Sequence, residues 1–120
     1  MITTYIDKES FSVEITIAGK ISESEIKECL EEIDGPLEEW PQIRILKRID
    51  SFSGMELMAL VENLKFAFQN FSHYKKIQKT ALVSDNDWIV KIAEFAENIV
   101  PGEMKIFENE DIEKARAWLK

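Results

Sequence analysis

The chain has 120 residues, of which 15 are basic and 23 acidic, for a formal net charge of −8. That length suits one domain with its own core, and a hydrophobic share of 45% excludes an intrinsically disordered chain. The charge excludes general nucleic-acid binding, because phosphate backbones are held by clustered Lys and Arg.

The first strands come early. Residues 2–6 are short and rich in β-branched and aromatic side chains. After Asp7-Lys8-Glu9-Ser10, a turn, Phe11, Val13, Ile15 and Ile17 alternate with polar or small residues, the period of a half-buried strand. Together they predict a hairpin, closed by Gly19. A helix follows: Ser22 and Glu25 have the spacing of a capping box, and Ile26, Cys29, Leu30 and Ile33 fall on one helical face. Gly35-Pro36 is expected to stop it.

Residues 43–49 read as a third strand, entered through Trp40-Pro41. The segment Asp50-Ser51-Phe52-Ser53-Gly54 then opens a long amphipathic stretch over residues 55–71, with Ser53 and Glu56 as a second capping box. A polar connection over residues 75–79 leads to a strand at 80–84. Asp85-Asn86-Asp87 caps a helix carrying Trp88, Ile92, Phe95 and Ile99, which Pro101-Gly102 ends. Residues 104–107 form a fifth strand, and Asn109 is expected to cap a last helix with Ile112, Ala115, Trp118 and Leu119 inward. The order ββαβαβαβα predicts a single α/β domain over residues 1–120, built on a mixed five-stranded sheet with helices packed on it.

The chain has one cysteine, Cys29, and one histidine, His73, too few for the usual zinc sites. Cys29 falls on the apolar stripe of the first helix and reads as a small core residue. No Gly-x-Ser-x-Gly elbow, Walker loop or Gly-x-Gly-x-x-Gly is present. The carboxylates of the first helix, Glu23 to Glu32, read as a solvated face. The expectation is a protein with no catalytic residue, no cofactor and no metal. No stretch is long and apolar enough to span a membrane, and no signal peptide is visible, so a cytoplasmic location is expected.

Two features stand out as binding candidates. Asp50, Ser51, Ser53 and Gly54 leave the C-terminal end of a strand and open a helix, where free N–H groups favour an anion or a phosphorylated serine. Arg44 and Arg48 point to one face of the third strand, with Lys47 on the other. The helix that follows is bulky over much of its circumference; Met55, Met58 and Phe66 lie outside any narrow stripe and offer a partner surface or an apolar pocket.

The strand ending in Asp50 with its serine–glycine loop resembles the SpoIIAA-like family of the STAS and CRAL-TRIO group. So does the closing pattern: Thr80-Ala81-Leu82-Val83-Ser84-Asp85 with Trp88, then Met104-Lys105-Ile106-Phe107, then Ala115-Arg116-Ala117-Trp118-Leu119. The resemblance implies a non-enzymatic domain. STAS-type relatives carry a phosphorylatable serine at this helix start; Phe52 interrupts that motif here, leaving Ser53, or Ser51 if the loop shifts. CRAL-TRIO relatives bind lipids in an apolar cavity. The reading is therefore a regulatory protein-interaction module, expected as a homodimer. The alternative is a carrier of a small apolar or amphipathic ligand beside the second helix, with Arg44 or Arg48 meeting its anionic end.

Overall fold

A six-residue strand and a seven-residue strand, β1 (Ile2–Asp7) and β2 (Ser12–Ala18), form the expected antiparallel hairpin, with Ile2 opposite Ile17 and Asp7 opposite Ser12. In this computed structural model the described residues are 1–19, 22–50, 74–85 and 102–120. The hairpin turn is tightened by the Asp7 carboxylate, which accepts from the backbone N–H of Glu9 (3.0 Å) and Ser10 (3.4 Å). Phe11 takes a left-handed φ of +53°, which a bulky residue seldom adopts. Its ring is held edge-on against Trp40, 5.6 Å between centroids. Phe11 therefore belongs to the turn rather than to the strand.

Helix α1 (Glu23–Leu37) starts as its sequence predicts: the Ser22 hydroxyl accepts from Glu25 N–H, and the Glu25 carboxylate from Ser22 N–H. Its end corrects the expectation. The helix runs through Gly35-Pro36 to Leu37. A proline this close to the C-terminus forfeits only one helical bond, and the extra turn carries Leu37 into the core, where it is fully buried. Burying such a side chain is worth about 1.5–3 kcal/mol. The exposed carbonyls at that end are met from outside: Lys76 Nζ donates to the carbonyls of Leu37 (3.4 Å) and Glu38 (3.0 Å).

β3 (Ile43–Asp50), β4 (Ile77–Val83) and β5 (Glu103–Phe107) complete the sheet in the order β1-β2-β3-β4-β5, with every pair after the hairpin parallel. β4 begins at Ile77, three residues before the predicted start. Residues 75–79 look polar because Lys75, Lys76, Gln78 and Lys79 surround Ile77, yet Ile77 is buried and pairs with Ile43. Only Tyr74–Lys76, a single 3-10 turn, remains as a connection within the described residues. The predicted helices over 55–71 and 88–99 lie outside the described residues.

The chain closes with a 3-10 turn, Asn109–Asp111, and a helix, α2 (Ile112–Leu119). Asn109 does not cap that helix as expected. Its N–H and its Nδ2 both donate to the Asp85 carboxylate, at 2.8 and 3.1 Å. That fork ties the segment just after β5 to the segment just after β4, which draws the side chain away from the helix start.

The two faces of the sheet differ. On one, Val13, Ile15, Ile17, Ile43, Ile45, Ile49, Ile77 and Leu82 pack with Ile26, Ile33 and Leu37 of α1 and with Trp40. On the other, Leu46, Ala81 and Val83 meet Ala115 and Leu119 of α2, with Ile112 and Trp118 half-buried at the rim. The first face is broad: its buried residues run across β2, β3 and β4, with Ile2, Ile6, Met104 and Ile106 half-buried at its margins, and among the described residues α1 covers it. Among the described residues α2 covers the second, and the β1–β2 end of that face carries polar residues such as Thr3, Glu14 and Thr16.

Candidate functional site

The strand β3 places three of the predicted site residues. Asp50 ends it, and its carboxylate lies 3.4 Å from Arg48 Nε. Ser51, Ser53, Gly54, Met55, Met58 and Phe66 lie outside the described residues. Arg44 and Arg48 share a sheet face, as the alternation along β3 requires, but they hold different partners. Arg44 Nη1 donates to the carbonyl of Ser10 in the hairpin turn (3.2 Å), whereas Arg48 turns to Asp50. They lie four positions apart, about 13 Å at the usual rise. They thus serve opposite ends of the strand.

The C-terminal ends of the parallel strands, where open α/β sheets carry their ligand sites, are cross-braced. The Ser84 hydroxyl donates to the carbonyl of Ile49 (3.1 Å) and its N–H to that of Phe107 (3.0 Å), locking the ends of β3, β4 and β5 together. Beside them, Glu108, Glu110 and Asp111 bring one oxygen each within 4.8 Å of one another. The hydrogen bond to Glu110, and then its charge, push the Glu108 carboxyl above its ordinary pKa.

Sequence reasoning missed a groove of about 360 Å³ between the hairpin and α2, lined by Asp7, Ser10, Glu14, Glu113, Arg116 and Lys120 among others. Its centre is a forked ion pair across 102 residues: Arg116 Nε and Nη2 donate to the two oxygens of Glu14, at 3.0 and 2.9 Å. Nη1 of the same guanidinium donates to Glu113. Glu14 first, then Glu113, hold Arg116 above its ordinary pKa. Glu14 stood out in the sequence only as a strand residue pointing away from the core. Nothing local marks it as the partner of a helix at the other end of the chain.

The basic residues that a phosphate contact would need are used in the same internal way. Lys76 caps α1, and Lys79 Nζ donates to the carbonyl of Trp118 (3.0 Å) while lying 5.1 Å from the centre of that indole. On the α1 side of the sheet, burial pushes Lys47 down to about 7, with the Cys29 thiol opposing that shift. Burial, and then the charge of Glu32, push Cys29 up to about 11. A thiol held protonated is a poor nucleophile, so Cys29 keeps the core role expected of it.

The sequence model of the SpoIIAA-like family matches residues 12–120. A crystal structure of an uncharacterized protein of the DUF3478 family from Shewanella loihica PV-4, described as having a SpoIIAA-like fold, is similar in shape. The TM-score is 0.70 at 21% sequence identity, covering 100% of this chain and 93% of that one. No curated protein matches the chain. At that identity the likeness speaks for the fold alone, and the fold it shows is the mixed sheet described above. Among the described residues no helix is long and apolar enough to cross a membrane. Because the family match covers all of the chain beyond the first strand and its turn, the chain belongs to the SpoIIAA-like family.

Proposed function

We propose that this chain is a non-enzymatic regulatory module that acts by binding protein and that associates with itself. The observation that supports this reading is the way its polar groups are used. Arg116 is taken up by Glu14 and Glu113, Arg48 by Asp50, and Lys76 and Lys79 by helix-end carbonyls. A catalytic site keeps its acids, bases and donors aimed at an open position where substrate sits. Among the described residues these groups are spent on contacts within the fold rather than aimed at an open position. The groove beside α2 is lined largely by charged and hydroxyl side chains, which suits a polar protein partner better than a lipid tail.

Native mass spectrometry of protein purified from cells tests the proposal. A dimer with no added mass supports it. A retained small molecule that is lost on denaturation would replace it with the carrier reading. Incubation with lysate and ATP addresses the regulatory part: added phosphate on Ser53 or Ser51 supports a phospho-switch at the strand–helix junction, and no added mass there removes it.

A further inference from the structure

The exposed edge of the sheet carries a specific form of that self-association, and the inference rests on the reading just given. Met1 and Ala18 exchange both backbone hydrogen bonds, N–H of Met1 to O of Ala18 at 2.7 Å and the reverse at 3.0 Å. In an antiparallel pair such bonded positions alternate with unbonded ones. Thr3, Tyr5 and Asp7 therefore face β2, opposite Thr16, Glu14 and Ser12. The N–H and C=O groups of Ile2, Thr4 and Ile6 point the other way, off the edge of the sheet, and among the described residues no strand pairs with them.

Natural sheets blunt such an edge with charge, proline or a bulge. The opposite edge, β5, follows that rule: Glu103 and Lys105 are exposed along it. β1 does not. From Ile2 to Ile6 it reads Ile-Thr-Thr-Tyr-Ile with no charge, and Tyr5 is 64% exposed. In a chain of net charge −8, two copies repel over most of their surfaces, and an uncharged edge is where they can approach.

We propose that β1 pairs antiparallel with β1 of a second copy, about a two-fold axis through Thr4. The strand is self-complementary under that operation. Thr4 meets Thr4 of the second copy, and Ile2 meets Ile6, so all six outward backbone groups on each copy find partners. On the other face Tyr5 lies over Thr3 of the second copy, an aromatic–β-branched pair of the kind that stabilises antiparallel sheets. The two sheets become one, and no heterologous surface is needed to close the assembly. Pairing two such short edges buries less than the roughly 1,600 Å² of a standard interface, so a weak, concentration-dependent dimer is expected.

Sedimentation velocity over a concentration series, with two variants, tests this. Thr4→Pro removes an N–H that the β1–β2 ladder does not use, so the hairpin can keep its pairing. The expected result is a monomer–dimer equilibrium in the native chain and at least a tenfold weaker one in Thr4→Pro, with an unchanged circular dichroism spectrum. Thr4→Cys places two thiols across the axis at about 5.5 Å between Cα atoms, within disulfide reach. It is expected to cross-link under mild oxidation, and Lys105→Cys on β5 is not. If Thr4→Pro misfolds, the cross-linking comparison decides alone. A native dimer that persists in Thr4→Pro, or that is trapped by Lys105→Cys and not by Thr4→Cys, overturns the β1 edge and leaves self-association standing. A native chain that stays monomeric throughout overturns both.

Discussion

Lys47 makes the stability of this protein depend on pH in a window that its neighbour leaves clear. Its ordinary pKa of 10.5 falls to about 7 in the fold, because burial disfavours the ammonium. Between those values the unfolded chain holds a proton that the folded chain has released, so stability rises with pH. It is complete above 10.5, lost as pH falls towards 7, and absent below. Cys29 acts in the opposite sense: raised from 9.0 to about 11, it contributes stability below pH 9 that is lost as pH rises to 11. From pH 7 to 9 only Lys47 of this pair titrates differently in the two states. One proton contributes about 1.4 kcal/mol per pH unit, and since the folded group is only half deprotonated at pH 7, the gain over this window is about 2 kcal/mol. Lys47→Met keeps the length of the side chain and removes the titration. Urea unfolding followed by tryptophan fluorescence at pH 7, 8 and 9 gives both stability curves. The native chain is expected to gain on Lys47→Met steadily with pH. Parallel curves for the two proteins would refute a buried, proton-shedding lysine.

Four further substitutions probe the packing. Gly102 has a φ of +77°, and a Cβ there would lie 2.2 Å from the carbonyl oxygen of Gln78. Gly102→Ala should therefore cost more than about 2 kcal/mol, and a midpoint shift in urea of under a few tenths molar would contradict the close approach. Leu37→Ala should lose about 2–5 kcal/mol, the usual range for a fully enclosed leucine; a loss below about 1 kcal/mol would mean that the last turn of α1 is not anchored in the core. For Glu14 and Arg116, whose side chains are 26% and 38% exposed, a double-mutant cycle with Glu14→Gln and Arg116→Met should return a coupling of about 1 kcal/mol, reduced in 1 M salt. A coupling of zero would make the fork a surface coincidence.

Much of the fold was legible in the sequence because it is encoded at short range. The alternation from Val13 to Ile17 names a buried strand face, and the Ser22–Glu25 spacing names a helix start; both survive in the structure because backbone bonding and a single apolar surface settle them locally. The lone-cysteine reading held for the same reason, since a residue on the stripe of an amphipathic helix has nowhere to go but inward. Where the prediction failed, a distant contact had overruled the local signal. Pro36 reads as a stop, yet Leu37 gains more from the core than the helix loses at that proline. Lys76 and Lys79 read as a polar link, yet they are spent on helix-end carbonyls 39 residues away in each direction.

The sequence alone determined the class of protein: an acidic α/β domain with a ββα start and a family-like closing segment. It also marked residues 2–6 as a short strand rich in β-branched and aromatic side chains. Tertiary structure decided which polar residues remain available for contact. Arg44, Arg48 and Arg116 differ little as letters, but a guanidinium satisfies whatever carbonyl or carboxylate the sheet order brings within reach, and that order is a property of strands far apart in the chain. The same holds for the edge. A stretch such as Ile2–Ile6, without charge, is harmless in the middle of a sheet, and only the order β1-β2-β3-β4-β5 leaves it outermost, with its backbone groups turned outward.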